Sequence, residues 1–126
     1  MPMDPAPVKR IYELFNSGKI EEMLLMMTPE SVFHVPGKVV GGDKVGPEAM
    51  GKFFETLASK ASKLGLEIHD IATSDNLVIA VVQHHHERGD KKCDLWATHS
   101  WHLENGTPME MWEMVWDTGE WDAFWA

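Results

Sequence analysis

Residues 92–116, KCDLWATHSWHLENGTPMEMWEMVW, hold two runs of alternating character on either side of the turn-forming stretch Glu104-Asn105-Gly106-Thr107. Successive side chains of a strand point to opposite faces, so Cys93, Leu95, Ala97, His99, Trp101 and Leu103 share one face of the first run. In the second run Met109, Met111, Glu113 and Val115 share one face, and Glu110, Trp112, Met114 and Trp116 share the other. Asn-Gly suits a tight turn because both residues tolerate the left-handed backbone that joins antiparallel strands. The stretch therefore predicts a long hairpin over 92–103 and 108–116 with one mostly apolar face. That face carries two polar exceptions, His99 and Glu113.

Moving towards the N-terminus, strand-like segments at 66–73 and 77–87 are separated by Ser74-Asp75-Asn76, and Gly89-Asp90 joins the second of them to the hairpin. The four segments form a meander. The Gly89-Asp90 turn leaves two registers open. A three-residue connection including Lys91 puts Val81, Gln83, His85 and Glu87 on the side of His99, whereas a two-residue turn puts His84 and His86 there.

Earlier still, the period changes from two to that of a helix. Asp4-Pro5 has the chemistry of a helix start, and Val8, Ile11, Tyr12 and Phe15 follow at i, i+3, i+4, i+7 before Asn16-Ser17-Gly18. Ile20, Met23, Leu24 and Met27 repeat the spacing up to Thr28-Pro29, and residues 31–35 read as a strand ending at Pro36-Gly37. A glycine-rich loop leads to Pro47, which opens a third helix carrying Met50, Phe53, Phe54 and Leu57 and ending near Leu64-Gly65. At the other end Trp121, Phe124 and Trp125 form an apolar cap expected to dock on the body. Three helices packed on a curved, mostly antiparallel sheet make one α+β domain over 1–126, with a conical hollow between the layers. Such hollows take small ligands.

Composition narrows the functional classes. Eleven basic against 20 acidic residues give a net charge of −9, the wrong sign for a nucleic-acid backbone or an anionic membrane surface. The longest apolar run, 77–82, is far shorter than the roughly 18 residues that a membrane span needs, and Met-Pro-Met-Asp-Pro-Ala-Pro has no signal-peptide pattern. A soluble, cytoplasmic protein is expected. The single cysteine, Cys93, excludes an internal disulfide and has no arranged base beside it.

The motifs YELFNSG (12–18), Thr28-Pro29-Glu30 with Phe33-His34-Val35-Pro36-Gly37, Gly46-Pro47-Glu48-Ala49-Met50, Glu67-Ile68-His69-Asp70-Ile71, Glu87-Arg88-Gly89, Glu110-Met111-Trp112 up to Asp117, and Asp122-Ala123-Phe124-Trp125 occur in this order. Together they resemble the SnoaL-like branch of the nuclear transport factor 2-like superfamily. The resemblance implies a cone-shaped, usually dimeric fold with a deep pocket. It does not imply one function, since the superfamily includes isomerases, polyketide cyclases, epoxide hydrolases, dehydratases and binding domains. By similarity, His99 stands where ketosteroid isomerases keep a protonated donor, and Glu113 where epoxide hydrolases keep a pocket carboxylate. His34 matches a pocket-lining amide, and Asp117 the acidic residue that closes the last strand. The isomerases' proton-abstracting Asp is replaced by Val35 and their first-helix Tyr by Ile11. The hydrolases' Tyr and Asn correspond to Val32 and His34, and their Arg-x-Asp appears only as Arg88-Gly89-Asp90.

These observations lead to a small-molecule pocket protein that needs only proton transfer and no organic cofactor, because no phosphate-binding glycine motif precedes a helix. Glu113 is the expected base and His99 the donor to developing negative charge. Asp117 is either a further pocket base or a cap for the terminal turn. His34, His85, Gln83, Trp101, Met111, Tyr12 and Phe54 are expected to bind an apolar, carbonyl-bearing substrate. A non-catalytic ligand-binding or dimerisation domain is the alternative. No metal is expected, because the run His84-His85-His86 offers at most two ligands on one side of a strand. Trp96, Trp112 and Trp116 fall on the outer face, where either the chain's own tail or a second copy in a homodimer covers them.

Overall fold

The computed structural model describes all 126 residues. Helix α1 spans Ala6–Asn16 and α2 Ile20–Leu24. Strands β1 (Val32–Val35) and β2 (Gly42–Val45) precede α3 (Gly46–Lys60). Six further strands follow: β3 (Leu66–Thr73), β4 (Val78–His84), β5 (His86–Arg88), β6 (Lys91–Cys93), β7 (Trp96–Glu104) and β8 (Thr107–Val115). Helix α4 (Thr118–Trp125) ends the chain.

The main sheet runs β2-β1-β8-β7-β4-β3, and all neighbours are antiparallel except β1 and β8. The hairpin at 92–116 thus forms its centre, as the alternation predicts. Three differences from the sequence reading have local causes. The glycine-rich stretch after β1 contains an edge strand, β2, set by Gly42 at φ +117 and Gly46 at φ +82. The segments 77–87 and 92–103 each split, because β5 and β6 leave the main sheet as a separate two-stranded ribbon. The third helix stops at Lys60, where Ala61 turns extended.

The apolar stripe of α1 buries Val8, Ile11, Tyr12 and Phe15, and that of α3 buries Met50 and Leu57 against the concave sheet face. The core cluster holds 24 residues drawn from all four helices and the sheet, and burial of their apolar surface is the main favourable contribution to folding. The apolar cap forms a true helix that plugs the cone, with Trp121 and Trp125 almost fully buried. Lys38 N–H donates to Asp122 Oδ1 (2.8 Å), and the Trp121 indole donates to the Pro36 carbonyl (3.1 Å). Gly37 makes this approach feasible: its φ is +93, and a side chain there would run into the Asp122 carboxylate and the Trp121 ring. Lys60, Arg88 and Lys91 donate to the C-terminal carbonyls of α4, the groups that a helix end leaves unpaired.

Candidate functional site

Register decides which histidines face the cone. Val78, Ala80 and Val82 of β4 pair with Trp101, His99 and Ala97 of β7. The same even-to-odd pairing continues through His86 with Cys93 to Arg88 with Lys91, leaving Gly89-Asp90 as a two-residue turn. His84 and His86 therefore share the concave face with His99 and are buried. Glu113 of β8 lies directly opposite His99. Between β4 and β8 on that face, Ala97 is small enough for His84 and Glu113 to meet above it.

These side chains form one hydrogen-bonded chain. Gly65 N–H donates to His86 Nδ1 (3.2 Å), His86 Nε2 meets His84 Nδ1 (2.8 Å), and His84 Nε2 meets Glu113 Oε2 (2.8 Å). From the other side the Trp101 indole donates to Tyr12 Oη (3.1 Å), Tyr12 meets His99 Nδ1 (2.6 Å), and His99 Nε2 meets the same Glu113 Oε2 (2.6 Å). Both ends are obligatory donors, a backbone amide and an indole, and this assigns every tautomer. His86 accepts at Nδ1 and so donates from Nε2, and His84 in turn donates from Nε2. The Tyr12 proton has no other acceptor and goes to His99 Nδ1, so His99 also donates from Nε2. All bonds point inward, and Glu113 Oε2 is the terminal acceptor. Its Oε1 makes no hydrogen bond to the protein and keeps accessible surface.

The electrostatics agree with this polarity. Burial raises the Glu113 pKa, but the attraction of His84 and His99 and their two hydrogen bonds outweigh it and hold the group well below the usual carboxylate range. Glu113 is thus ionised at neutral pH. Burial, with His84 beside it, pushes His86 down to about 3, so His86 stays neutral. Burial also lifts Tyr12 far above an ordinary phenol.

His84, His99 and Glu113 bring one potential ligand atom each within 4.8 Å of one another. The run contributes one residue to this group, His84, and β7 and β8 supply the other two. The chain behind them does not suit a metal, however. Both imidazoles turn an N–H towards Glu113, and baring Nε2 of His84 requires His86 to carry its proton on the nitrogen that already accepts from Gly65.

A narrow cavity opens above Glu113. Its volume, counted out to its mouth, is about 580 Å³. Thirteen of its 17 lining residues are hydrophobic. Tyr12, Phe54, Trp101, Met111, His99 and Glu113 line it, as expected from the sequence. His84 and His86, the pair that one of the two open registers places on this side, line it too, and so does Trp121, which the sequence reading did not assign to it. The parity of the Gly89-Asp90 turn was the signal for the two histidines.

Four expected site residues lie elsewhere. The two-residue turn sends Gln83 and His85 to the outer face, where Gln83 meets His69 (3.0 Å) and His85 bridges Asp94 (2.9 Å) and Glu67 (2.8 Å). His34 also points outward, between Glu110 (2.5 Å) and Asp43 (2.7 Å), with its ring stacked on Trp112. Hydrogen bonds to Glu110 and Asp43 raise the His34 pKa, and hydrogen bonds to Asp94 and Glu67 raise that of His85. Asp117 caps α4, accepting from Glu120 N–H (3.0 Å), and does not reach the cavity. His99 lines the cavity, but both its ring nitrogens are engaged, so it acts on Glu113 and has no free donor for a substrate oxygen.

An α+β cone with an aromatic-walled cavity and one polar end defines the class. A family model for the SnoaL-like domain matches residues 8–114, and the chain belongs to that family. The structure of Bal32a from a soil-derived mobile gene cassette is similar, with 27% identity, 96% of this chain and 95% of the other covered, and a TM-score of 0.89. TerC co-crystallized with polyporic acid shares the fold at 18% identity, 95% coverage of each chain and a TM-score of 0.85. A putative SnoaL-like polyketide cyclase from Shewanella putrefaciens CN-32 does so at 14% identity, with 91% and 90% coverage and a TM-score of 0.75. No curated protein matches the sequence. No helix is long and apolar enough to cross a membrane.

Proposed function

We propose that the protein is a cofactor-independent acid–base enzyme of the isomerase or cyclase type, acting on a small apolar molecule, with Glu113 as the base. The observation that carries this reading is the division of labour within one carboxylate. Oε2 is fixed by two imidazole N–H groups, while Oε1 is left free at the polar end of an apolar cavity. A base needs this combination of fixed orientation and an open lone pair. In the reaction Oε1 takes a proton from the substrate and returns it at another atom of the same molecule. Its lowered proton affinity restricts it to comparatively acidic protons, such as a C–H beside carbonyl groups. His99 and His84 hold the carboxylate in place, and Tyr12 and His86 keep those imidazoles in the required tautomers. The family membership and the polyketide cyclase named among the similar structures support a carbonyl-bearing substrate.

The reading includes a homodimer through the outer sheet face, supported by Trp116 and Met114, each 65% exposed, beside Trp112 at 37%.

Proton abstraction from 5-nitrobenzisoxazole tests the base directly. The C–H proton goes to the base, the N–O bond breaks, and cyanonitrophenolate absorbance reports turnover. The wild type should exceed free acetate at equal concentration, and Glu113→Gln should lose about 100-fold or more of the rate. A wild-type rate no greater than that of acetate refutes the catalytic reading and leaves a ligand-binding domain.

A further inference from the structure

The cavity has a property that follows from counting its polar atoms. Seven lining side chains carry N or O: Tyr12, His84, His86, His99, Trp101, Glu113 and Trp121. Every donor among them is committed within the protein. The Trp101 indole goes to Tyr12, Tyr12 to His99, and His99 and His84 to Glu113. His86 goes to His84, and the Trp121 indole to the Pro36 carbonyl. Each ring nitrogen of the three histidines is used, either as donor or as acceptor. The atom left over is an acceptor, Glu113 Oε1.

We infer that this cavity selects ligands that donate a hydrogen bond, and that it discriminates against molecules that can only accept one and against anions. Two physical facts carry the selection. A donor reaching Oε1 forms a charge-assisted bond in a site shielded from water, whereas a ketone or ether oxygen placed there meets another oxygen and loses its hydration without replacement. An anion brings a second negative charge up to a buried carboxylate that is itself ionised. The aromatic and aliphatic walls and the narrow bore add a shape requirement, a flat and slim apolar skeleton with the donor at its leading end. The ligand class is thus an uncharged, weakly acidic hydroxyl compound, such as a phenol or an enol, on an apolar frame. The inference deepens the reading of Glu113 as the group that faces the ligand. It also implies that a substrate must spread developing negative charge over its own conjugated atoms, because no side-chain donor is free to receive it.

Calorimetric titration of the full chain at pH 7 with four matched probes tests this: 2-naphthol, its methyl ether, 2-acetonaphthone and 2-naphthoate. They share a ring system and differ in whether the polar group donates, only accepts or is charged. The naphthol should bind about 10- to 100-fold more tightly than the ether and the ketone, the worth of one charge-assisted hydrogen bond, and the naphthoate should bind least. In Glu113→Gln the order should flatten, because an amide can both donate and accept. The wild-type comparison needs no variant. Equal or tighter binding of the ether, the ketone or the naphthoate overturns the inference, and so does failure of all four to bind. The benzisoxazole assay fails separately: the predicted order without turnover refutes catalysis alone, and turnover with a reversed order refutes donor selection alone.

Discussion

Replacing His86 with glutamine should flatten the acid dependence of stability, by an amount that the structure allows to be worked out. Burial pushes the folded pKa of His86 to about 3, from an ordinary value of 6.5. Between those limits the unfolded chain binds one proton at this residue that the folded chain does not. Stability therefore falls as pH falls: the contribution is complete above 6.5 and is lost progressively down to about 3. One proton corresponds to about 1.4 kcal/mol per pH unit, so the descent from 6.5 to 5 costs about 2 kcal/mol and the full interval about 5 kcal/mol. Against a domain stability of about 5–15 kcal/mol this is readily measured. Glutamine can accept from Gly65 N–H at its oxygen and donate to His84 from its nitrogen, preserving the direction of the chain without a titrating group. Urea midpoints of the wild type and His86→Gln, taken at half-unit steps from pH 7.5 to 5, should diverge by about 2 kcal/mol across the window. Above pH 5 Glu113 adds little, because its own loss begins where an unfolded carboxylate takes up its proton. Parallel slopes in the two proteins would refute the assignment of His86 as a neutral, buried donor.

Glu113→Leu leaves two buried imidazole N–H groups without an acceptor and should cost about 2–6 kcal/mol in chemical denaturation, whereas Glu113→Gln should stay within about 1–2 kcal/mol of wild type. Trp116→Glu places a charge in the exposed aromatic patch and should shift sedimentation from dimer to monomer with unchanged circular dichroism; a wild-type monomer at micromolar concentration removes the basis for the dimer. Zinc titrated into the protein at pH 7 should show no stoichiometric uptake, and one zinc per chain that is lost in His84→Ala would show that the inward polarity is wrong.

The sheet was legible because burial on one side imposes a period that the sequence must carry. Val78, Ala80 and Val82, and likewise Ala97, His99 and Trp101, alternate with exposed or half-buried neighbours over whole strands. Helices α1 to α3 were legible for the same reason at the other period, while Trp121, Phe124 and Trp125 marked a buried cap but were not read as a fourth helix. Strand β2 was not legible. It is a short edge strand whose burial alternates in no useful way, and its pairing with β1 depends on the backbone freedom of Gly42 and Gly46. His34 was misplaced because the resemblance gave it a pocket role, while the parallel pairing of β1 with β8 sets it opposite Trp112 on the outer side.

The site itself turned on one bit of information, whether the turn after Arg88 holds two residues or three. A strand has period two, so a single added residue exchanges the whole set His84, His86 for Gln83, His85. Composition cannot decide this, since both sets are polar and residues 77–82 are apolar at every position, so either face of β4 could pack inward. The strand pairing in the structure gives the answer. Ala97, His99 and Trp101 pair with Val82, Ala80 and Val78, Cys93 pairs with His86 in the same even-to-odd register, and Arg88 pairs with Lys91, which leaves two residues for the turn. Gly89 at φ +59 supplies the left-handed residue that such a turn requires. With that parity His84 must meet Glu113 across Ala97, and the carboxylate gains its second donor. With the other parity Glu113 would have His99 alone, and His85 would be buried without the two carboxylates, Glu67 and Asp94, that it bridges at the surface. The polar ladder and the apolar ladder thus agree on the same turn.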